Sequence, residues 1–232
     1  MGEQRGATSR EEGLDEELGF WHRWLRDRGD PWSWDYDRRT NPRAPLQTDY
    51  RELIRAHPGA RVRILDVGSG PLTTLGTRWP GRRVSITAVD PLADHYNELL
   101  DEAGITPPVR TIKGDAERLA ELLPHDSFDL ACATNSLDHA YDPIRAIRQM
   151  LQLVKPGRHV LLDHRAAEGE LMGYTALHQW NFRAEDGRFV VWRPGLRVDA
   201  HALLEPHADI SVRAHPDEGW LRVVLRRSQR SA

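Results

Sequence analysis

Cysteine is almost missing from this sequence: Cys132 stands alone. No disulfide can therefore form within the chain, no cysteine-based metal cluster exists, and a reducing compartment fits. Lysine is nearly as scarce, at Lys113 and Lys155 only, so arginine carries almost all of the positive charge. That bias reads as a GC-rich genome, not as a field of functional guanidiniums. An excess of one sign is also lacking, since 32 basic side chains face 35 acidic ones for a net charge of -3. No chain-wide potential recruits a phosphate backbone, and nucleic acid is not an expected partner. No apolar run approaches the ~18 residues of a membrane span. The N-terminus is polar and charged, unlike a secretory signal, so no membrane partner is expected and the cytoplasm is the expected location.

What is present suits one globular domain: 232 residues, 39% hydrophobic and 29% charged. Met1 to about Gly13 has hardly an apolar side chain and is expected to be a disordered tail. Residues 14–60 read as N-terminal helices and a lid. Leu14 to Leu25 has helical spacing, Trp32 to Pro45 is an aperiodic aromatic loop, and a second helix runs from about Gln47 to Ala56. Residues 61–163 alternate β-rich runs with helical segments, the runs being Val62–Val67, Val84–Val89, Val109–Lys113, Phe128–Ala133 and His159–Asp163. Asp142 and Pro143 open the last of these helices, and Lys155-Pro156-Gly157 ends it. An insertion over residues 164–197 carries a hairpin around Glu185-Asp186-Gly187, and residues 198–232 supply a helix and two strands.

The chemistry gathers at the strand ends. Asp66-Val67-Gly68-Ser69-Gly70-Pro71 is a tight turn whose glycines let the backbone approach a ligand. The second strand ends at Asp90, where a carboxylate can accept both hydroxyls of an adenosine ribose. A dinucleotide fingerprint would place a third glycine at Thr73; Asp66 instead suits a cationic ammonium and sulfonium. Asp115, after the third strand, can accept from an adenine amino group, and Asn135 follows the fourth.

In this order the pieces resemble the class I S-adenosylmethionine-dependent methyltransferases, over roughly Arg61 to Asp163. Val62 to Pro71 looks like the first motif of that family, although Leu72 stands where a third glycine often sits. Asp90 looks like its ribose acid and Gly114 to Ala116 like its adenine-side turn. The resemblance implies S-adenosylmethionine as cofactor, held by Asp66, Gly68, Ser69, Gly70, Asp90, Pro91, Gly114, Asp115, Ala116 and Asn135. It implies a doubly wound, seven-stranded, mostly parallel sheet with an N-terminal helical lid and an insertion after strand five. Asn135 to His139 and His178 to Phe182 are similar to segments of bacterial methyltransferases of polysaccharide and natural-product pathways.

His139 and His178 are the candidate catalytic bases, because an imidazole at the carboxyl-end rim can take a hydroxyl proton. Trp32, Tyr36, His164 and Trp180 are candidates for binding the acceptor. Asp138, Asp163, His139 and His164 could together ligate a divalent ion, but no close spacing supports it, and no metal is expected. The expected activity is O- or N-methylation of a small molecule by a monomer or homodimer. A peptide acceptor and a nonenzymatic cofactor-binding subunit are the alternatives.

Overall fold

The computed structural model describes residues 10–215 and 219–229. Helices α1 (Arg10–Arg26), α2 (Ser33–Thr40) and α3 (Thr48–Ile54) precede the first strand. Strands β1 (Arg61–Val67), β2 (Arg83–Asp90), β3 (Ile112–Lys113), β4 (Phe128–Thr134) and β5 (Val154–Arg165) then alternate with α4 (Ala93–Glu102), α5 (Leu119–Leu122) and α6 (Pro143–Leu153). After β5 come α7 (Glu168–Leu171), β6 (Asn181–Glu185), β7 (Arg188–Arg193), β8 (Leu196–Val198), α8 (Ala200–Leu204), β9 (Ala208–His215) and β10 (Trp220–Arg227).

The main sheet has the order β3-β2-β1-β4-β5-β10-β9. Its first five strands run parallel, and β10 lies antiparallel to both neighbours. Both faces are covered, as a parallel sheet requires. Along β1, Val62 and Ile64 pack with Leu46, Tyr50 and Ile54, whereas Leu65 and Val67 join the opposite cluster with Ile144, Ile147 and Met150. Asp142 caps α6 by accepting from the Arg145 amide at 2.9 Å. That helix stops at Leu153, before the expected Lys155-Pro156-Gly157, because Val154 already pairs with Phe128 in the sheet. Lys155 instead meets Asp129 at 2.7 Å.

The hairpin of the insertion is present, with Asp186 and Gly187 both at positive φ in its two-residue turn. A third strand, β8, extends it, and Phe182, Phe189 and Val191 carry it into the main core.

Two N-terminal expectations need correction. Arg10 to Gly13 belong to α1, while Met1 to Ser9 lie outside the described residues. The segment read as an aperiodic loop contains α2, held by Asp35 pairing with Arg38 and Arg39 at 2.6 Å each, one turn on. Among the described residues, no helix is long and apolar enough to cross a membrane.

The chain leading into α3 crosses the segment after β1 at close quarters. The Leu46 amide donates to the Arg78 carbonyl at 2.8 Å, and the Arg78 amide to Ala44 at 3.0 Å. A Cβ on Gly76 would lie 1.9 Å from the Pro45 carbonyl oxygen, and backbone bonded on both sides cannot yield. Gly76→Ala is expected to destabilise the fold by about 3 kcal/mol. A lower urea midpoint at unchanged slope would show it; an unchanged midpoint would mean that the crossing is loose.

Candidate active site

A cleft of about 1380 Å³ opens at the carboxyl ends of the parallel strands. Gly68, Ser69 and Gly70 line it after β1, Asp90 and Pro91 at the end of β2, Gly114, Asp115 and Ala116 after β3, and Asn135 after β4. The structure thus brings together the residues expected to hold a cofactor. Asp90 fixes the turn, its Oδ2 accepting from the Gly70 amide at 3.1 Å and its Oδ1 from the Leu92 amide at 3.0 Å. Each oxygen keeps a lone pair for a further donor. Asn135 ties β4 to β5, accepting from the Arg165 amide at 3.0 Å.

Burial pushes the Asp90 carboxyl up to about 6, against the lowering effect of those two amides; Glu17 and Asp66 add to the rise. A ribose is held best by the ionised carboxylate, which predominates above that value. S-adenosylmethionine affinity is therefore expected to rise with pH and level off above about 6, falling roughly tenfold per unit below it. Titrations between pH 5 and 8 in the same buffer would check this; a flat profile would contradict it.

Asp66 lines the floor of the cleft but is 2% exposed. One oxygen accepts from the Thr73 hydroxyl at 2.5 Å and the other faces the Cys132 thiol at 3.6 Å. Burial raises its pKa. Both oxygens are thus engaged within the protein before any ammonium group arrives.

The roof comes from α1. Trp21 lies over Gly70, where an added Cβ would stand 2.8 Å from the indole; Gly70 also takes a positive φ of 63°. The Trp21 indole N–H donates to Glu17 at 2.8 Å. Arg39 backs this roof, 5.7 Å from the Trp21 ring and 5.5 Å from that of Trp24, with its guanidinium donating to the Leu72 carbonyl at 3.0 Å. Glu17 and Arg39 were missed in the sequence, where an acid in a polar stretch and one arginine among many carry no signal. Trp32 lines the cleft as expected.

Beyond the glycine turn lie Asp138, His139 and His178. His178 Nδ1 is 2.7 Å from Asp138 Oδ2 and 3.0 Å from His139 Nε2. The Gln179 amide donates to the Asp138 carbonyl at 3.0 Å, tying the insertion to the loop after β4. Burial alone would lower the His178 pKa, but the Asp138 hydrogen bond and charge outweigh it, with Glu168 and Glu17 adding to the rise. For Asp138, burial is likewise outweighed by the three histidines around it, and its pKa is lowered.

Three expected acceptor residues do not line this cleft. Tyr36 packs on Trp24 at 5.5 Å. The Trp180 indole donates to the Ala140 carbonyl at 2.8 Å, bracing the loop that carries His139 from behind. His164 is buried against Phe182, ring centroids 4.6 Å apart, and burial lowers its pKa to about 4. Asp163, which the sequence offered beside it only as a possible ligand, pairs with Arg222.

A model of the methyltransferase domain matches residues 35–198, well over half of the chain. The chain belongs to this family. It is a class I S-adenosylmethionine-dependent methyltransferase, and S-adenosylmethionine is its cofactor. A ubiquinone/menaquinone biosynthesis C-methyltransferase UbiE of Vibrio vulnificus is 32% identical over 114 residues, covering 46% of this chain and 42% of that one. The namesake of Shewanella sediminis is 26% identical over 178 residues, covering 75% and 67%. Among solved structures, phosphoethanolamine N-methyltransferase 2 of Haemonchus contortus, in complex with S-adenosylmethionine, has a TM-score of 0.57 at 14% identity, covering 97% of this chain and 61% of that one. The CurJ carbon methyltransferase has a TM-score of 0.52 at 13% identity, covering 78% and 52%. At such identities the structural likeness shows the fold alone.

Proposed function

We propose that this methyltransferase moves the methyl group of S-adenosylmethionine to a small organic acceptor that must first lose a proton, such as an enol, a phenol or another hydroxyl compound. The observation that carries the reading is the single cleft joining Asp90 and the glycine turn to His139 and His178. Its volume of about 1380 Å³ exceeds the ~300–1,000 Å³ of an ordinary one-ligand pocket, leaving room for donor and acceptor together. Methyl transfer from a sulfonium is an in-line displacement, so aligning the two ligands and excluding water supply much of the rate. Promoting loss of the acceptor proton falls to Asp138, His139 and His178. A neutral amine needs no such help, so the cluster favours an oxygen or carbon acid over the nitrogen acceptors that the sequence left open. The relatives named as C-methyltransferases favour carbon.

The test is incubation with methyl-labelled S-adenosylmethionine and panels of enolisable, phenolic, alcoholic, amine and peptide acceptors, followed by identification of the labelled product. Label in an enol, phenol or alcohol acceptor supports the reading. Transfer confined to amines or peptides, or bound cofactor with no transfer to any panel, contradicts it.

A further inference from the structure

Three donor atoms from two separate segments converge on one point beside the cleft. Asp138 Oδ2 lies 2.7 Å from His178 Nδ1 and 3.5 Å from His139 Nε2, and the two ring nitrogens are 3.0 Å apart. A ring nitrogen carries either a proton or a lone pair. His178 Nδ1 therefore cannot donate to Asp138 and accept from His139 at once, and hydrogen bonding serves one of its two contacts well and the other poorly. A cation shared by all three atoms serves both. Ligands at adjacent positions on an ion with bonds of roughly 2.1 Å stand about 3.0 Å apart in an octahedron and about 3.4 Å apart in a tetrahedron. The three separations bracket those values.

A second observation points the same way. Asp138 is 1% exposed, and its other oxygen, Oδ1, has no hydrogen-bond partner among the described residues. A buried carboxylate incompletely paired is costly unless a charge close by offsets it. Two imidazoles and one carboxylate suit a first-row divalent ion, Zn²⁺ foremost; Mg²⁺ and Ca²⁺ favour all-oxygen sets. Three protein ligands also leave coordination positions open, as catalytic sites do and structural ones do not.

We propose that Asp138, His139 and His178 bind one divalent transition ion, and that this ion takes the enol, phenol or hydroxyl oxygen of the acceptor. The proposal rests on the methyl-transfer reading above and specifies how the proton is lost. The ion draws electron density from the acceptor oxygen, so that the anion forms near neutral pH. The electron pair of that anion, on oxygen or on the conjugated carbon, forms a bond to the methyl carbon. The carbon–sulfur bond breaks with its pair returning to sulfur, giving neutral S-adenosylhomocysteine, and one proton passes to solvent for each methyl transferred.

The experiment uses the whole chain, stripped by chelation and dialysed. Zn²⁺ is titrated by calorimetry, and Co²⁺ by its visible d–d absorption. One ion per chain is expected, with Asp138→Asn and His178→Ala weakening binding by more than about 100-fold. His139→Ala alters the more exposed ring, 21% accessible, and serves where the buried variant does not fold. S-adenosylmethionine binding to the stripped protein, read separately, is expected to persist because Asp90 and the glycine turn lie outside the cluster. Absence of stoichiometric binding, or variants that bind metal like the wild type, would overturn the metal site. So would full-rate methyl transfer in excess chelator, which would assign proton removal to the imidazoles alone. Failure of S-adenosylmethionine to bind either form would instead overturn the methyl-transfer reading.

Discussion

His178→Ala is expected to slow single-turnover methyl transfer by about 10²–10⁴-fold while leaving S-adenosylmethionine affinity nearly unchanged, the loss typical of removing a group that assists proton transfer. The side chain lines the cleft and touches both Asp138 and His139, so its removal dismantles the cluster whether that cluster works through an imidazole or through a bound ion. Among the described residues, no hydrogen bond links His178 to Asp90. The substitution also leaves Asp138 short of a partner in a buried position, so some stability should be lost, of order 1–3 kcal/mol. Circular dichroism at the assay temperature separates that loss from the kinetic one. Near wild-type turnover by the folded variant would remove His178 from the mechanism.

Asp90→Ala has the second large expected effect, on binding instead of on rate. The ribose hydroxyls lose a charged acceptor, worth about 1.5–3 kcal/mol, or roughly 10–150-fold in affinity. The carboxylate also holds the Gly70 and Leu92 amides, so part of the loss would come from a loosened turn. Asp90→Asn separates the two contributions, because its remaining carbonyl oxygen can still accept from one amide while the charge is gone. Calorimetry should rank affinities wild type, then Asn, then Ala. Equal affinities in folded variants would place the ribose elsewhere.

The parallel sheet was legible because most of its strands announce themselves locally, although Val109 to Thr111, expected to be strand, lie outside the two-residue β3. Ile64 and Leu65 point to opposite covered faces, and Leu130 to Ala133 are apolar on both. The rim of the cleft was legible for a related reason: Gly68, Gly70 and Asp90 stand at strand ends whose spacing the fold dictates. The helix α2 was not, since its stability comes from Asp35 with Arg38 and Arg39, and from those arginines reaching the Thr74 and Leu72 carbonyls over thirty residues away. The directions of Tyr36, His164 and Trp180 were equally hidden. On a short helix or near a strand end, one residue of register decides whether a side chain faces the ligand or the core. The sequence marked His139 and His178 separately as bases. Their meeting on Asp138 depends on how the insertion folds back on the loop after β4, and no local pattern encodes that.

Asp90 is proposed to hold the methyl donor in one cleft, with the donor sulfur directed toward the histidine cluster. A crystal structure with S-adenosylhomocysteine tests it most directly. Both ribose hydroxyls are expected within hydrogen-bond reach of the Asp90 carboxylate, with the adenine beside Asp115, Trp21 over the ligand, and the sulfur facing His139 and His178 across open space for an acceptor. A ligand bound away from Asp90, or lying with its sulfur turned from the histidines, would contradict it.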